Sequence, residues 1–145
     1  RMDYTVIGDS VNLAARLQEL TKTYGVELLL CEDTAAAISG QVETREIDVI
    51  RVRGRTRPAK IFEAVAPSRT ADIGRKASVV AYRKGRTHLL SRNWQGAIAD
   101  FEEAVAQDPS DVPAKVMLDR ARMLAQQPPD SNWDGVWQSP AKTTA

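Results

Sequence analysis

The chain changes character once, and that change limits what it can fold into. From Val42 to Arg53 β-branched residues dominate, Gly54-Arg55-Thr56-Arg57-Pro58 supplies a turn, and Ile61 to Ala66 reads as the returning strand of a hairpin. Beyond Pro67-Ser68-Arg69-Thr70-Ala71-Asp72 the hydrophobic spacing is helical only, over about 75–91, 94–107 and 111–126, until Pro128-Pro129 ends regular structure. Strands confined to one half and helices filling the other define an α+β chain.

Ahead of the hairpin, Tyr4 to Ile7 reads as the end of a strand stopped by Gly8. Asp9 or Ser10 then offers a side-chain oxygen to cap a helix running to about Tyr24. Leu13, Leu17, Leu20 and Tyr24 form its core stripe, and Gly25 closes it as a C′ residue. Val26 to Cys31 is apolar enough for a buried strand, with Cys31 as a structural thiol, and a short helix follows from Asp33 to Ser39. The expected order is strand, helix, strand, helix, strand, strand. The expected division is residues 1–66, a linker at 67–74, a helical segment at 75–127, and a tail at 128–145 that is mobile apart from Trp133 and Trp137.

With 20 basic and 19 acidic side chains the formal charge is +1, so no global field draws the chain to nucleic acid or anionic membrane. A single cysteine forms no internal disulfide and suits a reducing, cytoplasmic compartment. The first residue is Arg1, which points to a piece of a longer protein. His88, the only histidine, reads as structural, and its isolation excludes a zinc site on ligand count.

Four-residue spacing places Asn12 and Arg16 on one helical face, offset from the leucine stripe. A guanidinium fork and an amide suit the charge that builds on phosphorus during displacement. The same spacing equally describes a solvated face with a salt bridge to Glu19 or Asp9. Arg51, Arg53, Arg55, Arg57 and Lys60 surround the hairpin tip, where five positive charges either attract a polyphosphate or protect an edge strand.

The stretches "YTVIGDSVNLAARL", "VELLLCEDTAAAI" and "REIDVIRVRGRTRPAKIFEAV" resemble the C-terminal half of the class III nucleotidyl cyclase catalytic domain. The resemblance covers about the first 66 residues and implies a partial ferredoxin-like fold. It implies that Asn12 and Arg16 stabilise the transition state as the ribose 3′-oxygen attacks the α-phosphate of ATP. It further implies that Thr5 reads the purine, favouring adenylate over guanylate cyclase, and that Arg53 or Arg55 meets the terminal phosphates. The family's Mg²⁺ or Mn²⁺ ligands lie on strands N-terminal to Tyr4, so the chain by itself is expected to be inactive. Its partners would be ATP and a second catalytic domain in a head-to-tail dimer. The alternative is a non-catalytic cyclase-like dimerisation and interaction module with a helical, partner-binding tail.

Gly85, Trp94, Ala97, Phe101, Ala104 and Pro109 sit at mutual offsets that resemble one tetratricopeptide unit, a motif of about 34 residues. One isolated unit buries its faces poorly, so it is expected to lean on the first segment or on a protein partner. Charge divides here too: residues 68–92 hold seven basic side chains against Asp72, and residues 93–145 hold eight acidic against four basic.

Overall fold

A computed structural model describes residues 4–52, 57–65 and 72–138, with side chains described from Asn12 onward. Among these the order is α1 (Tyr4–Tyr24), β1 (Leu29–Cys31), α2 (Glu32–Ile38), β2 (Thr44–Ile50), β3 (Ala59–Ala64), α3 (Ile73–Leu90), α4 (Trp94–Gln107) and α5 (Val112–Gln126). The class is α+β, with five helices and a three-stranded antiparallel sheet ordered β1-β3-β2. That arrangement is compatible with part of a cyclase-like domain.

One expectation fails at the start. Tyr4 to Ile7 are the first residues of α1 rather than a strand, and Asp9 and Ser10 lie within the helix instead of capping it. A helix closes its hydrogen bonds inside the segment, whereas a strand needs a neighbour, and among the described residues no strand pairs with residues 4–7. At its other end α1 behaves as its sequence dictates. Leu13, Leu17, Leu20 and Tyr24 are buried. Gly25 takes a φ of +64°, and Val26 N–H donates to Thr21 O at 3.1 Å, the bond that closes a left-handed helix terminus.

β3 is central. It pairs with β1 through Leu30 opposite Phe62, and with β2 through Glu46 opposite Phe62 and Ile50 opposite Ala59. Between Glu46 and Asp48 the register shifts, so the consecutive residues Ile47 and Asp48 are both buried. An irregularity of this kind breaks the alternation of faces and aims two neighbouring side chains into the interior.

The three C-terminal helices form an antiparallel array in which α4 packs on both α3 and α5. Asp72 caps α3 by accepting from Arg75 N–H at 3.2 Å, and Asn93 caps α4 by accepting from Gly96 N–H at 3.0 Å. Gly85 permits the close approach of α3 and α4, since a Cβ there would stand 2.6 Å from the Phe101 ring. Leucines of α1, Ile47 and Ile61 of the sheet, and Tyr82, Phe101 and Met117 of the helices belong to one apolar core.

Residues past Pro129 cross back to the sheet. Arg92 donates to the carbonyls of Pro129 at 2.6 Å and Asp130 at 3.0 Å, and Trp133 rests against Trp94 with ring centroids 5.5 Å apart. Trp137 then forms a parallel bridge on the outer edge of β2, donating to Val49 O at 2.8 Å and accepting from Arg51 N–H at 3.0 Å.

Gly25→Ala tests the α1 terminus. A side chain is disfavoured at positive φ by roughly 1–2 kcal/mol, and its Cβ would stand 2.6 Å from Val112 Cβ. A loss of about 2 kcal/mol or more is expected from urea denaturation, and an unchanged midpoint would contradict the described geometry.

Candidate functional site

The sequence-predicted pair lies on a flank of α1 that runs from exposed at Asn12 to half-buried at Arg16. Asn12 is exposed while Leu13 and Leu17, further round the helix, are buried. Arg16 keeps 25% of its side-chain surface exposed, and its Nη1 lies 3.2 Å from Glu19 Oε2. Thr5 falls within α1, but its side chain lies outside the described residues, as do Arg53 and Arg55 altogether. Of the other hairpin cations, Arg51 contacts Asp134 at 2.6 Å and Lys60 lies 3.8 Å from Glu32. The Asp134 carboxyl is held below its ordinary value by the Val136 N–H it accepts and by Arg51.

Sequence reasoning missed a larger polar assembly between the sheet and the C-terminal helices. Its first cluster is built on Arg45 of β2, whose side chain is fully buried. Arg45 meets Glu63 of β3 at 2.7 Å and grips both oxygens of Asp111 at 2.9 and 3.0 Å. Arg75 of α3 donates to Glu63 at 2.7 Å, and Ser78 donates to Asp111 at 2.6 Å. Asp111 precedes α5 at the capping position, yet makes no side-chain cap, because its oxygens serve Arg45 and Ser78. Burial alone would raise its carboxyl; Arg45, Ser78 and Arg75 reverse this and hold it below the ordinary range.

The second cluster surrounds Asp48. Arg120 of α5 donates to Asp48 Oδ2 at 2.6 Å, Arg86 of α3 approaches Oδ1 at 3.3 Å, and the Tyr24 hydroxyl of α1 hydrogen-bonds Oδ2. Beside it, the Ile47 carbonyl accepts from Tyr82 at 2.7 Å and from Arg86 at 3.2 Å. Arg120 lies over the Trp137 ring, 3.9 Å from its centroid. The inner faces of α3 and α5 are thus spent on this chain's own strand. A sequence signal existed: Arg75, Ser78, Tyr82, Arg86 and Leu89 recur at helical spacing, which places two arginines on a buried stripe.

Two expectations about single residues are also resolved. His88 Nδ1 lies 2.6 Å from Asp100 Oδ2 and ties α3 to α4. Cys31 is half-buried rather than enclosed, with its sulfur 3.2 Å from Thr34 Oγ1.

No group of three or more His, Cys, Asp or Glu side chains suited to a metal occurs among the described residues. The most buried carboxylates, Asp48, Asp111 and Glu63, already face arginines, so these residues do not fit the metal that the cyclase resemblance implies. A crevice of about 60 Å³ lies between Leu89, Arg120, Leu124 and Trp137, room for one or two waters and far short of a nucleotide. Among the described residues no helix is long and apolar enough to cross a membrane.

No family model matches the chain, and no solved structure matches it. Curated proteins do. Over 83% of its length the chain is 27% identical to the terminal-differentiation-specific adenylate cyclase of Dictyostelium discoideum. Half of the chain is 32% identical to adenylate cyclase 1 of Rhizobium meliloti, and 46% of it is 39% identical to the adenylate cyclase of Anabaena cylindrica. The chain spans only 6%, 11% and 14% of the lengths of these three proteins. These similarities support a cyclase-related family, and the first extends well past Ala66 into the helices.

Asp111→Asn tests the first cluster. A depressed carboxylate stabilises the fold fully above its unfolded value of about 3.9, and this contribution is lost as pH falls through the lower folded value. The gap in urea midpoint between wild type and variant is expected to narrow between pH 7 and pH 3. A constant gap would remove Asp111 as an ionised partner of Arg45.

Proposed function

We propose that residues 1–66 are the C-terminal half of a class III adenylate cyclase catalytic domain, in a longer protein that converts ATP to 3′,5′-cyclic AMP and pyrophosphate in signal transduction. One observation carries the reading. Within the segment that resembles the cyclase signature, Asn12 and Arg16 stand a turn apart on a flank of α1 offset from its buried leucines, Asn12 exposed and Arg16 half-buried. Similarity to three proteins named adenylate cyclase supports it.

In this reading Arg16 and Asn12 donate to the oxygens of the α-phosphorus as charge accumulates there, and their contacts strengthen toward the transition state. The Arg16–Glu19 pair is no obstacle. A partly exposed pair three residues apart is worth well under about 1 kcal/mol, and a triphosphate offers the guanidinium far more negative charge. Thr5 contacts the purine edge, and Arg53 or Arg55 the terminal phosphates. The metal ligands belong to the other half of a shared site, completed by a second catalytic domain head to tail. This chain by itself turns over no ATP.

The α3–α5 array is a tetratricopeptide-like unit used in cis. Its inner face clasps β2, and that contact supports the role of a fixed extension of the catalytic domain over that of a free partner-binding tail.

In the full-length protein, Arg16→Ala is expected to lower turnover about 10²-fold or more with little change in the KM for ATP. Cyclic AMP formation at saturating ATP measures this. Undiminished turnover would remove Arg16 from the chemistry and, with it, the cyclase reading of α1.

A further inference from the structure

The buried cluster at the C-terminal end of α1 has a geometry that apolar packing does not need. Tyr24 is the last residue of the helix and is fully buried. Its hydroxyl meets Asp48 Oδ2 and accepts from Arg120 Nη2 at 3.2 Å, while Arg120 Nη1 reaches the same Oδ2 at 2.6 Å. Three side chains from α1, β2 and α5 therefore close a triangle. Asp48 is held from its other side by Val49 N–H at 2.8 Å and by Arg86, and Arg120 is held by the Trp137 ring. Burial and the Asp48 charge push the Tyr24 hydroxyl well above its ordinary value, so it remains a protonated donor.

We infer that Tyr24, Asp48 and Arg120 form a clamp through which the C-terminal helices set the rotation and tilt of α1, and are therefore positioning residues for Asn12 and Arg16. The functional half of this inference rests on the cyclase reading.

Leu13, Leu17 and Leu20 fix how deeply α1 sits, but apolar contact is non-directional and tolerates rotation. Hydrogen bonds are directional, and in a buried site they are also strong. Ninety-six residues separate Tyr24 from Arg120, so only the folded helical array brings this donor to α1. At 1.5 Å per residue Arg16 lies about 12 Å and Asn12 about 18 Å along the helix from the clamp, so a tilt of about 10° displaces Asn12 by ~3 Å. Misplacement of a reacting group by about 1 Å is enough to cost on the order of 10²-fold in rate.

Two conservative variants test the clamp. Tyr24→Phe keeps the ring and the Asp48–Arg120 ion pair but removes the hydroxyl; Arg120→Lys keeps the charge but loses the fork that reaches both partners. Hydrogen exchange of the amides of residues 13–24 is compared with that of α4 as an internal control. Both variants are expected to speed exchange in α1 by about 5-fold or more while α4 changes less than about 2-fold. In the full-length protein, turnover is expected to fall about 10-fold with the KM for ATP unchanged, a split that general loss of folded protein does not explain away once α4 is seen to hold. Unchanged α1 exchange in both variants, or equal acceleration in α4, overturns the clamp. If α1 alone loosens while turnover is maintained, the clamp stands and the catalytic assignment of Asn12 and Arg16 falls.

Discussion

Asp48 keeps only 2% of its surface exposed, so its charge has to be answered inside the protein. Removing a carboxylate from water costs several kcal/mol unless cations and donors replace the lost hydration. Arg86, Arg120, the Tyr24 hydroxyl and the Val49 amide do so here, and they come from α3, α5, α1 and β2. Once that carboxylate is buried, the helices cannot sit anywhere else on the sheet. Arg45 repeats the principle from the other sign, with Glu63 and Asp111 around a guanidinium that has no access to solvent. Such pairs add little net stability over a well-packed apolar core. Their effect in this fold is to choose one docking arrangement among many that apolar contact alone would tolerate.

The irregularity in β2 makes the Asp48 cluster possible beside that of Arg45. Strict alternation would bury Arg45 and Ile47 and leave Asp48 outside. The register shift lets Ile47 join the apolar core while Asp48, its neighbour, still faces α3 and α5. The same step leaves the Ile47 carbonyl available to Tyr82 and Arg86, so helix side chains satisfy that carbonyl while the Trp137 backbone pairs with Val49 and Arg51 further along the edge.

Local rules made much of this legible. Bounds of α4 coincide with the spacing of Trp94, Ala97, Phe101 and Ala104, and the end of α1 with Gly25, because period and terminus chemistry act within a few residues. The β2–β3 hairpin was readable for the same reason. Tyr4 to Ile7 were not, since an apolar tetrapeptide suits either element and a neighbouring strand decides between them. On α1, four-residue spacing put Asn12 and Arg16 one turn apart, Asn12 exposed and Arg16 half-buried, and the alternative of a Glu19 salt bridge is present in the structure. The two charged clusters lay beyond local reasoning. Arg45 and Asp111 stand sixty-six residues apart, and no window of sequence pairs them.

The bridge between Trp137 and the edge of β2 has a consequence for biogenesis. Eighty-three residues separate Arg51 from Asp134, so β2 leaves the ribosome long before the segment that finishes its border. Until then the Arg51 N–H and the Val49 carbonyl on that edge lack the partner that Trp137 supplies, the circumstance in which nascent proteins associate wrongly. The closing tryptophan thus serves as a seal fitted late, and truncation ahead of it leaves a sheet that is formed yet adhesive.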